Sequence, residues 1–351
     1  MKPSTPRRFY LITYPRTGSN LLVRMLGLDN QPHMRGGNDR GGYVFLPVVK
    51  LVTELGLRKK EVEDWTEEEV MQVRRSYQEC FAEFQAYLDQ ASADECSVFI
   101  KEHVHFLIDP TTLSKFTFRG TPKPSWMVQY LPESCEEKAA RFPRNQTILP
   151  DEFLRSWLPT FLIRHPALAF PSLYRALLEL EGTGNPCEDE QLGEHCMTMH
   201  WTRNLYDWYV WQGNRAGWPI VLDADDIMTD PGLVSEYCQL LGMDPSLLNS
   251  SWTPVSKQQL SHMDIFTKRY LSTLLASGGI VADKIAGHVD IELEAKKWCS
   301  EFGERAGKRL ERLVREAMPD YEFLKARRFT AKRHFQKNAH GVLCRDGSEM
   351  P

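Results

Sequence analysis

The chain has 351 residues, 42% of them hydrophobic and 26% charged, with a formal net charge of -4. This is enough apolar material for a large core, and the charge balance argues against a dedicated nucleic-acid binder. No apolar run is long enough to cross a membrane, the eight cysteines form no C-x-x-C pair, and a short polar, basic start leads at once into a strand, so a cytosolic protein with reduced thiols is expected.

Phe9-Tyr10-Leu11-Ile12-Thr13 predicts a buried strand that enters the turn Tyr14-Pro15-Arg16-Thr17-Gly18-Ser19-Asn20 and then opens a helix ending near Leu28. Backbone N–H groups in such a turn have no intrahelical partners, the helix dipole adds partial positive charge, and Arg16 adds a full one. The result is a phosphate cradle. Its ATP and GTP form requires G-x-x-x-x-G-K-[ST], whereas here Asn20 follows Ser19 and the only basic residue lies two positions before Gly18. A nucleoside triphosphate is disfavoured, and some other phosphorylated nucleotide is expected.

The glycine pairs Gly36-Gly37 and Gly41-Gly42 then predict a loop, either a mobile pocket edge or plain surface. Thr66-Glu67-Glu68-Glu69 is a capping box opening an amphipathic helix to about residue 90. The segment Val98-Phe99-Ile100-Lys101-Glu102-His103-Val104-His105-Phe106 follows. If it is extended, a period of two puts Lys101, His103 and His105 on one side and Ile100, Glu102 and Val104 on the other. A face carrying those three residues belongs at solvent or on an anionic pocket.

Residues 115–159 are rich in Pro, Lys and Glu with little periodicity and predict an irregular insertion, in which Trp126, Met127 and Tyr130 either line a pocket or fill a satellite core. Thr160-Phe161-Leu162-Ile163 predicts a second buried strand, followed by Arg164-His165-Pro166-Ala167-Leu168-Ala169-Phe170-Pro171-Ser172. Arg164 then stands at the strand's carboxyl end and Ser172 early in the next helix; taken alone, an Arg after a strand is a solvated loop residue. Pro166 suits a first helical turn, and Pro171 is a candidate kink. Further on, residues 191–213 predict a long helix dense in aromatics, Pro219-Ile220-Val221-Leu222-Asp223 a strand, Asp225, Asp226 and Asp230 capping and loop roles, and 292–318 an amphipathic helix before a basic stretch over 325–337. Cys187, His195, Cys196 and His200 match no common structural zinc spacing, so no metal is expected.

The turn Tyr14-Pro15-Arg16-Thr17-Gly18-Ser19-Asn20 resembles, position by position, the 5′-phosphosulfate loop Y-P-[KR]-[ST]-G-[ST]-[TN] of sulfotransferases that use 3′-phosphoadenosine 5′-phosphosulfate, PAPS. Arg164 through Ser172 resembles that family's 3′-phosphate motif R-[NDH]-P-x(5)-S, and Lys101-Glu102-His103 resembles its K-x-H segment. The three occur in the family's order. The resemblance implies a single α/β domain over 1–325, a P-loop-like fold with a central parallel sheet flanked by helices, and a basic tail over 326–351. It implies a donor site made of Arg16, Thr17, Gly18, Ser19, Asn20, Arg164 and Ser172. His103 would be the general base, with Lys101 and Arg16 stabilising charge on the leaving phosphate. The expected reaction is sulfonate transfer from PAPS to a hydroxyl of a small, apolar or aromatic molecule in the cytoplasm. It needs no metal, nucleic acid or membrane, and homodimer assembly is left open.

Two departures accompany the likeness. Leu21 stands where the family has a Trp against the adenine, and Ser277-Gly278-Gly279-Ile280-Val281-Ala282-Asp283-Lys284 keeps Gly279 and Asp283 of the family's R-K-G-x-x-G-D segment without its Arg-Lys pair. Lys268 with Arg269, or Lys284, are the nearby substitutes. Beyond Leu240-Leu241-Gly242 the resemblance fades. The alternatives are sulfonation that leads to elimination or cyclisation, a PAPS-independent or non-catalytic descendant, and a nucleotide-dependent phosphotransferase, the last opposed by the missing Gly-Lys pair.

Overall fold

Strand β1 (Arg8–Thr13) alternates between two cores, with Tyr10 and Ile12 in one and Phe9 and Leu11 in the other. A strand apolar on both faces must be covered on both, which is the signature of a parallel sheet between helical layers. In the computed structural model, which describes residues 5–36, 42–119, 124–130, 142, 144–180, 195–213, 216–263, 265–281, 285–287 and 289–330, that sheet has five strands. The others are β2 (Met34–Gly36), β3 (Ser97–His103), β4 (Leu158–Ile163) and β5 (Ile220–Asp223), in the order β2-β3-β1-β4-β5, every pair parallel. The chain winds to one side of β1 and then to the other. The switch point lies at the end of β1, where Thr13 pairs with His103 on one side and Leu162 on the other.

Between β1 and β3 run α1 (Ser19–Leu26), α2 (Leu46–Glu54) and α3 (Glu67–Ala93). Between β3 and β4 lie α4 (Val104–Leu107), α5 (Pro110–Phe118) and α6 (Asp151–Arg155), and after β4 come α7 (Pro166–Leu180) and α8 (His200–Gln212). Past β5 are α9 (Ala224–Thr229), α10 (Pro231–Leu241), α11 (Lys257–Ser261), α12 (Ile265–Tyr270), α13 (Ser272–Ala276), α14 (Ile291–Phe302) and α15 (Glu304–Lys325). The capping box of α3 forms as expected: the Glu69 N–H donates to the Thr66 hydroxyl and the Thr66 N–H to the Glu69 carboxylate. Its buried stripe of Val73, Cys80, Phe81, Phe84, Leu88 and Ala91 faces the larger core, where each large side chain contributes about 1.5–3 kcal/mol. Asp223 and Asp230 cap α9 and α10 through the N–H groups of Asp225 and Leu233. Among the described residues, no helix is long and apolar enough to cross a membrane.

Several expected elements need correction. The described part of 115–159 is irregular between α5 and α6, and the expected bounds need trimming: α5 extends to Phe118, α6 is regular, and β4 begins at Leu158. Buried polar side chains without periodicity organise it. Asp109 accepts from the Thr112 and Trp126 N–H groups, and Asp151 from Phe142 N–H and the Asn145 amide. Trp126 is buried against Trp65 with the Arg74 guanidinium over its ring, so it is core rather than pocket wall. The predicted helix over 191–213 starts only at His200, and 191–194 lies outside the described residues. Pro171 sits inside a continuous α7.

The single helix predicted over 292–318 is two helices broken at Gly303, whose φ of 86° and ψ of 158° suit only glycine. The pair closes on itself at Gly307, where an added Cβ would stand 2.5 Å from the backbone of Cys299. Gly307→Ala is therefore expected to destabilise the protein by about 1–3 kcal/mol in urea unfolding through overpacking alone. After α15 the chain returns to the sheet. The Phe329 N–H donates to Val221 O at 2.7 Å and Arg328 pairs with Asp226 at 2.6 Å, while the tail from 331 onward lies outside the described residues.

Candidate active site at the strand ends

The loop after β1 is locked before any ligand is considered. Tyr14 is buried, its phenol donates to the carbonyl of Arg164, and the Arg164 N–H donates back to it at 3.2 Å. One tyrosine thus joins the ends of β1 and β4. The Thr17 hydroxyl donates to Tyr14 O at 3.0 Å, closing the turn, so its backbone N–H rather than its side chain is left to face a ligand. Gly18, at φ 81°, caps α1 with no side chain bonded there and nothing within 4 Å of where a Cβ would stand. The helix N-terminus is open.

Guanidinium groups gather beside it. Arg16 takes a left-handed backbone, donates Nε to Ser172 Oγ at 2.9 Å and Nη1 to Tyr270 O at 2.6 Å, while Arg164 donates Nη1 to Arg16 O at 2.9 Å. Burial lowers the Arg16 pKa, and the nearby charges of Arg164 and Arg269 lower it further. Cations held together against mutual repulsion suit a polyanion with more than one phosphate. Arg269 lies on α12, which packs against α7, the helix carrying Ser172. It is the substitute brought to this cluster; Gly279 instead bridges Ser251, and Asp283 and Lys284 lie outside the described residues. His165 takes no part in the cluster, since its Nδ1 accepts the Ala167 N–H at 3.1 Å and helps start α7.

On the other side of β1, the period of two holds for Lys101 and His103 and fails for His105. The backbone turns helical at Val104, so His105 lies in α4 and reaches the group by stacking its ring on His103, centroids 5.6 Å apart. Lys101 is 3% exposed, which rules out a solvent face. Its ammonium donates to the Asn20 side-chain carbonyl of the phosphate loop and lies 4.3 Å from the ring centre of Tyr43. Burial pushes its pKa down to about 7, against the opposing pull of Glu102. Glu102 points to the opposite face, accepts the N–H groups of Phe45 at 3.2 Å and His103 at 3.0 Å, and is pushed up to about 8 by burial.

His103 Nδ1 lies 2.7 Å from the Thr13 hydroxyl, and that hydroxyl donates to Glu102 O at 3.2 Å. A hydroxyl has one proton to give: given to Glu102 O, it leaves the imidazole proton on Nδ1 and a free lone pair on Nε2, and given to Nδ1 it reverses the two. Burial, with Lys101 and Arg16 nearby, holds the ring well below its ordinary pKa and therefore neutral. The arrangement is a neutral nitrogen base beside a buried ammonium at the mouth of a phosphate cradle.

Sequence reasoning did not single out Tyr43 or Glu102. Tyr43 lies tilted against His103, centroids 4.6 Å apart, and Ser19 and Asn20 beside its phenol offset part of the rise in pKa that burial causes. No spacing links it to a motif, because it follows the glycine loop that the residue pattern leaves without a fixed position. Among the described residues no group of three or more His, Cys, Asp or Glu side chains converges as for a metal ion, and Cys187 lies outside them.

Comparison with known proteins supplies the family. The chain is 43% identical over 343 residues to "Sulfotransferase ppzF" of Metarhizium rileyi, covering 94% of this chain and 98% of the relative. It is 43% identical over 338 residues to the protein of the same name from Metarhizium majus, covering 93% and 98%. A solved structure, the sulfotransferase domain from the Synechococcus PCC 7002 olefin synthase, aligns with 86% of this chain and 97% of its own at 20% identity and a TM-score of 0.38. No protein-family model matches the chain. Identity of this level, sustained over almost the full length of two proteins so named, means that the chain belongs to the sulfotransferase family.

Proposed function

We propose that the protein transfers a sulfonate group from PAPS to a hydroxyl of a small molecule, with His103 as general base. The observation that supports this reading is the 2.7 Å contact of the Thr13 hydroxyl with His103 Nδ1 beside Lys101; with that hydroxyl's proton on Glu102 O, the Nε2 lone pair is left for the acceptor. PAPS, when bound, supplies an activated sulfonate on a 5′-phosphate. Arg164, Ser172 and Arg269 would hold the 3′-phosphate, and the open turn over Gly18 to Asn20 the 5′-phosphosulfate. His103 Nε2 accepts the acceptor's hydroxyl proton as the new oxygen–sulfur bond forms and the bond from sulfur to the phosphate oxygen breaks. Arg16 and Lys101 stabilise the charge that develops on that phosphate oxygen, which leaves as part of 3′,5′-adenosine bisphosphate. Rings of Tyr43, His105 and Phe106 surround His103, tilted, stacked and edge-on in turn, which supports an apolar or aromatic acceptor.

Calorimetric titration with 3′,5′-adenosine bisphosphate, 5′-AMP and ATP with Mg2+ tests the donor assignment. Because charge-assisted contacts to one phosphate are worth about 1.5–3 kcal/mol, the bisphosphate is expected to bind about 10- to 100-fold more tightly than 5′-AMP. A preference for ATP with Mg2+ would overturn the assignment. Product mass with labelled PAPS then shows whether the sulfonate is retained.

A further inference from the structure

We propose that Tyr43 is a positioning residue that joins the donor loop to the proton-accepting side of the site: its phenol holds Ser19 and Asn20 while its ring face holds the Lys101 ammonium and the His103 imidazole. This rests on the sulfotransferase reading of the site. The ring centre is 4.3 Å from Lys101 Nζ and 4.6 Å from the His103 centroid, the Lys101 ammonium itself donates to Asn20, and Ser19 and Asn20 lie close enough to the phenol to favour its ionised form. No other described side chain is shown meeting the loop, the ammonium and the imidazole together.

The approach of this tyrosine is built into the backbone. Gly42, at φ 92°, lies so close to β3 that a Cβ would stand 3.2 Å from both the N and the O of Lys101. Phe45, two residues beyond Tyr43, donates its N–H to the Glu102 carboxylate. The segment 42–45 is therefore pinned to Lys101, Glu102 and His103 in turn. Any shift of Ser19 or Asn20 on the loop is transmitted through one rigid ring to the two groups that handle charge and proton.

The ionisation of Lys101 gives the tie a readable signature. The groups facing it are Asn20 and Arg16 from the loop, Glu102 and His103 from its own strand, and Tyr43. Of these, Glu102 and the Tyr43 ring favour the ammonium form. An aromatic face stabilises a desolvated ammonium, so removing the ring lowers the pH at which the charge is lost, whereas removing only the phenol oxygen does not.

The test is the affinity for 3′,5′-adenosine bisphosphate between pH 6 and 9 in wild type, Tyr43→Phe and Tyr43→Leu, with thermal melts to confirm folding. Tyr43→Phe is expected to bind about fivefold more weakly at every pH, the loss of a hydrogen bond to the loop, with the midpoint of the alkaline decline unchanged. Tyr43→Leu is expected to show the same weakening at pH 6 and a midpoint lower by about one pH unit. Wild-type affinity in Tyr43→Phe, or an unmoved midpoint in Tyr43→Leu, overturns the proposal. If the wild type fails to prefer the bisphosphate over 5′-AMP, the donor reading falls, and 15N-histidine NMR of the same variants decides the proposal alone. A downward move of the His103 titration in Tyr43→Leu but not in Tyr43→Phe supports it, and equal titrations overturn it.

Discussion

His103→Ala is expected to lower sulfonate transfer to a panel of phenols and alcohols by about a thousandfold while leaving bisphosphate affinity within about threefold, since general-base catalysis is worth roughly 10²–10⁴. The separation follows from geometry. His103 is tied to Thr13 and to the rings of Tyr43, His105 and Phe106, whereas the guanidinium cluster proposed to hold the phosphates lies across β1, with Arg16 on the loop, Arg164 after β4 and Arg269 on α12. The pH dependence has a definite sign. Burial, Lys101 and Arg16 all depress the imidazole, so the base is already neutral well below its ordinary pKa and the acid limb of the rate profile should lie below pH 6. A limb at or above pH 7 would assign proton acceptance to another group.

Arg164→Ala is expected to weaken bisphosphate binding by about 100-fold and to leave 5′-AMP binding almost unchanged, so that the two nucleotides become nearly equal ligands in calorimetry. Arg164 does more than supply a charge. Its guanidinium also donates to the carbonyl of Arg16, a residue held in a left-handed conformation by other contacts as well, through Ser172 and Tyr270. A loss of that size, about 2.7 kcal/mol, lies at the upper end of the range for one charged hydrogen bond, about 1.5–3 kcal/mol. Equal losses of affinity in Arg164→Ala and His103→Ala would contradict the division of labour between the two sides of β1.

The parts of this architecture legible from residues alone are those set by local rules. Two-sided burial of β1 and β4, the capping box at Thr66, and the strand-turn-helix at Tyr14 to Asn20 each depend on neighbours a few positions apart. What stayed hidden depends on long-range closure. Tyr43 reaches the site because Gly42 lies on Lys101 and Glu102 receives Phe45, contacts separated by more than fifty positions that leave no periodic trace. Arg269 was one of three substitutes until the packing of α12 on α7 brought it to Arg16. The break at Gly303 was masked because the apolar stripe has the same period on both sides of it. His105 was misassigned because alternation in residue type continues one step beyond the point where the backbone leaves the strand.

The placement of the switch point at β1 divides the molecule into halves with different freedom to change. Apart from Arg269 on α12, everything proposed to hold the nucleotide sits at or just after the ends of three adjacent strands, β3, β1 and β4, each buried on both faces and laddered to its neighbour. Everything that can meet the acceptor around His103 comes instead from short helices and connections, Tyr43 before α2 and His105 and Phe106 on α4. A lineage can therefore exchange the second set piecemeal without disturbing the first. New acceptors in this family are accordingly a matter of grafted connections on an unchanged donor platform, and chimeras that swap those connections alone should inherit the acceptor range of their source.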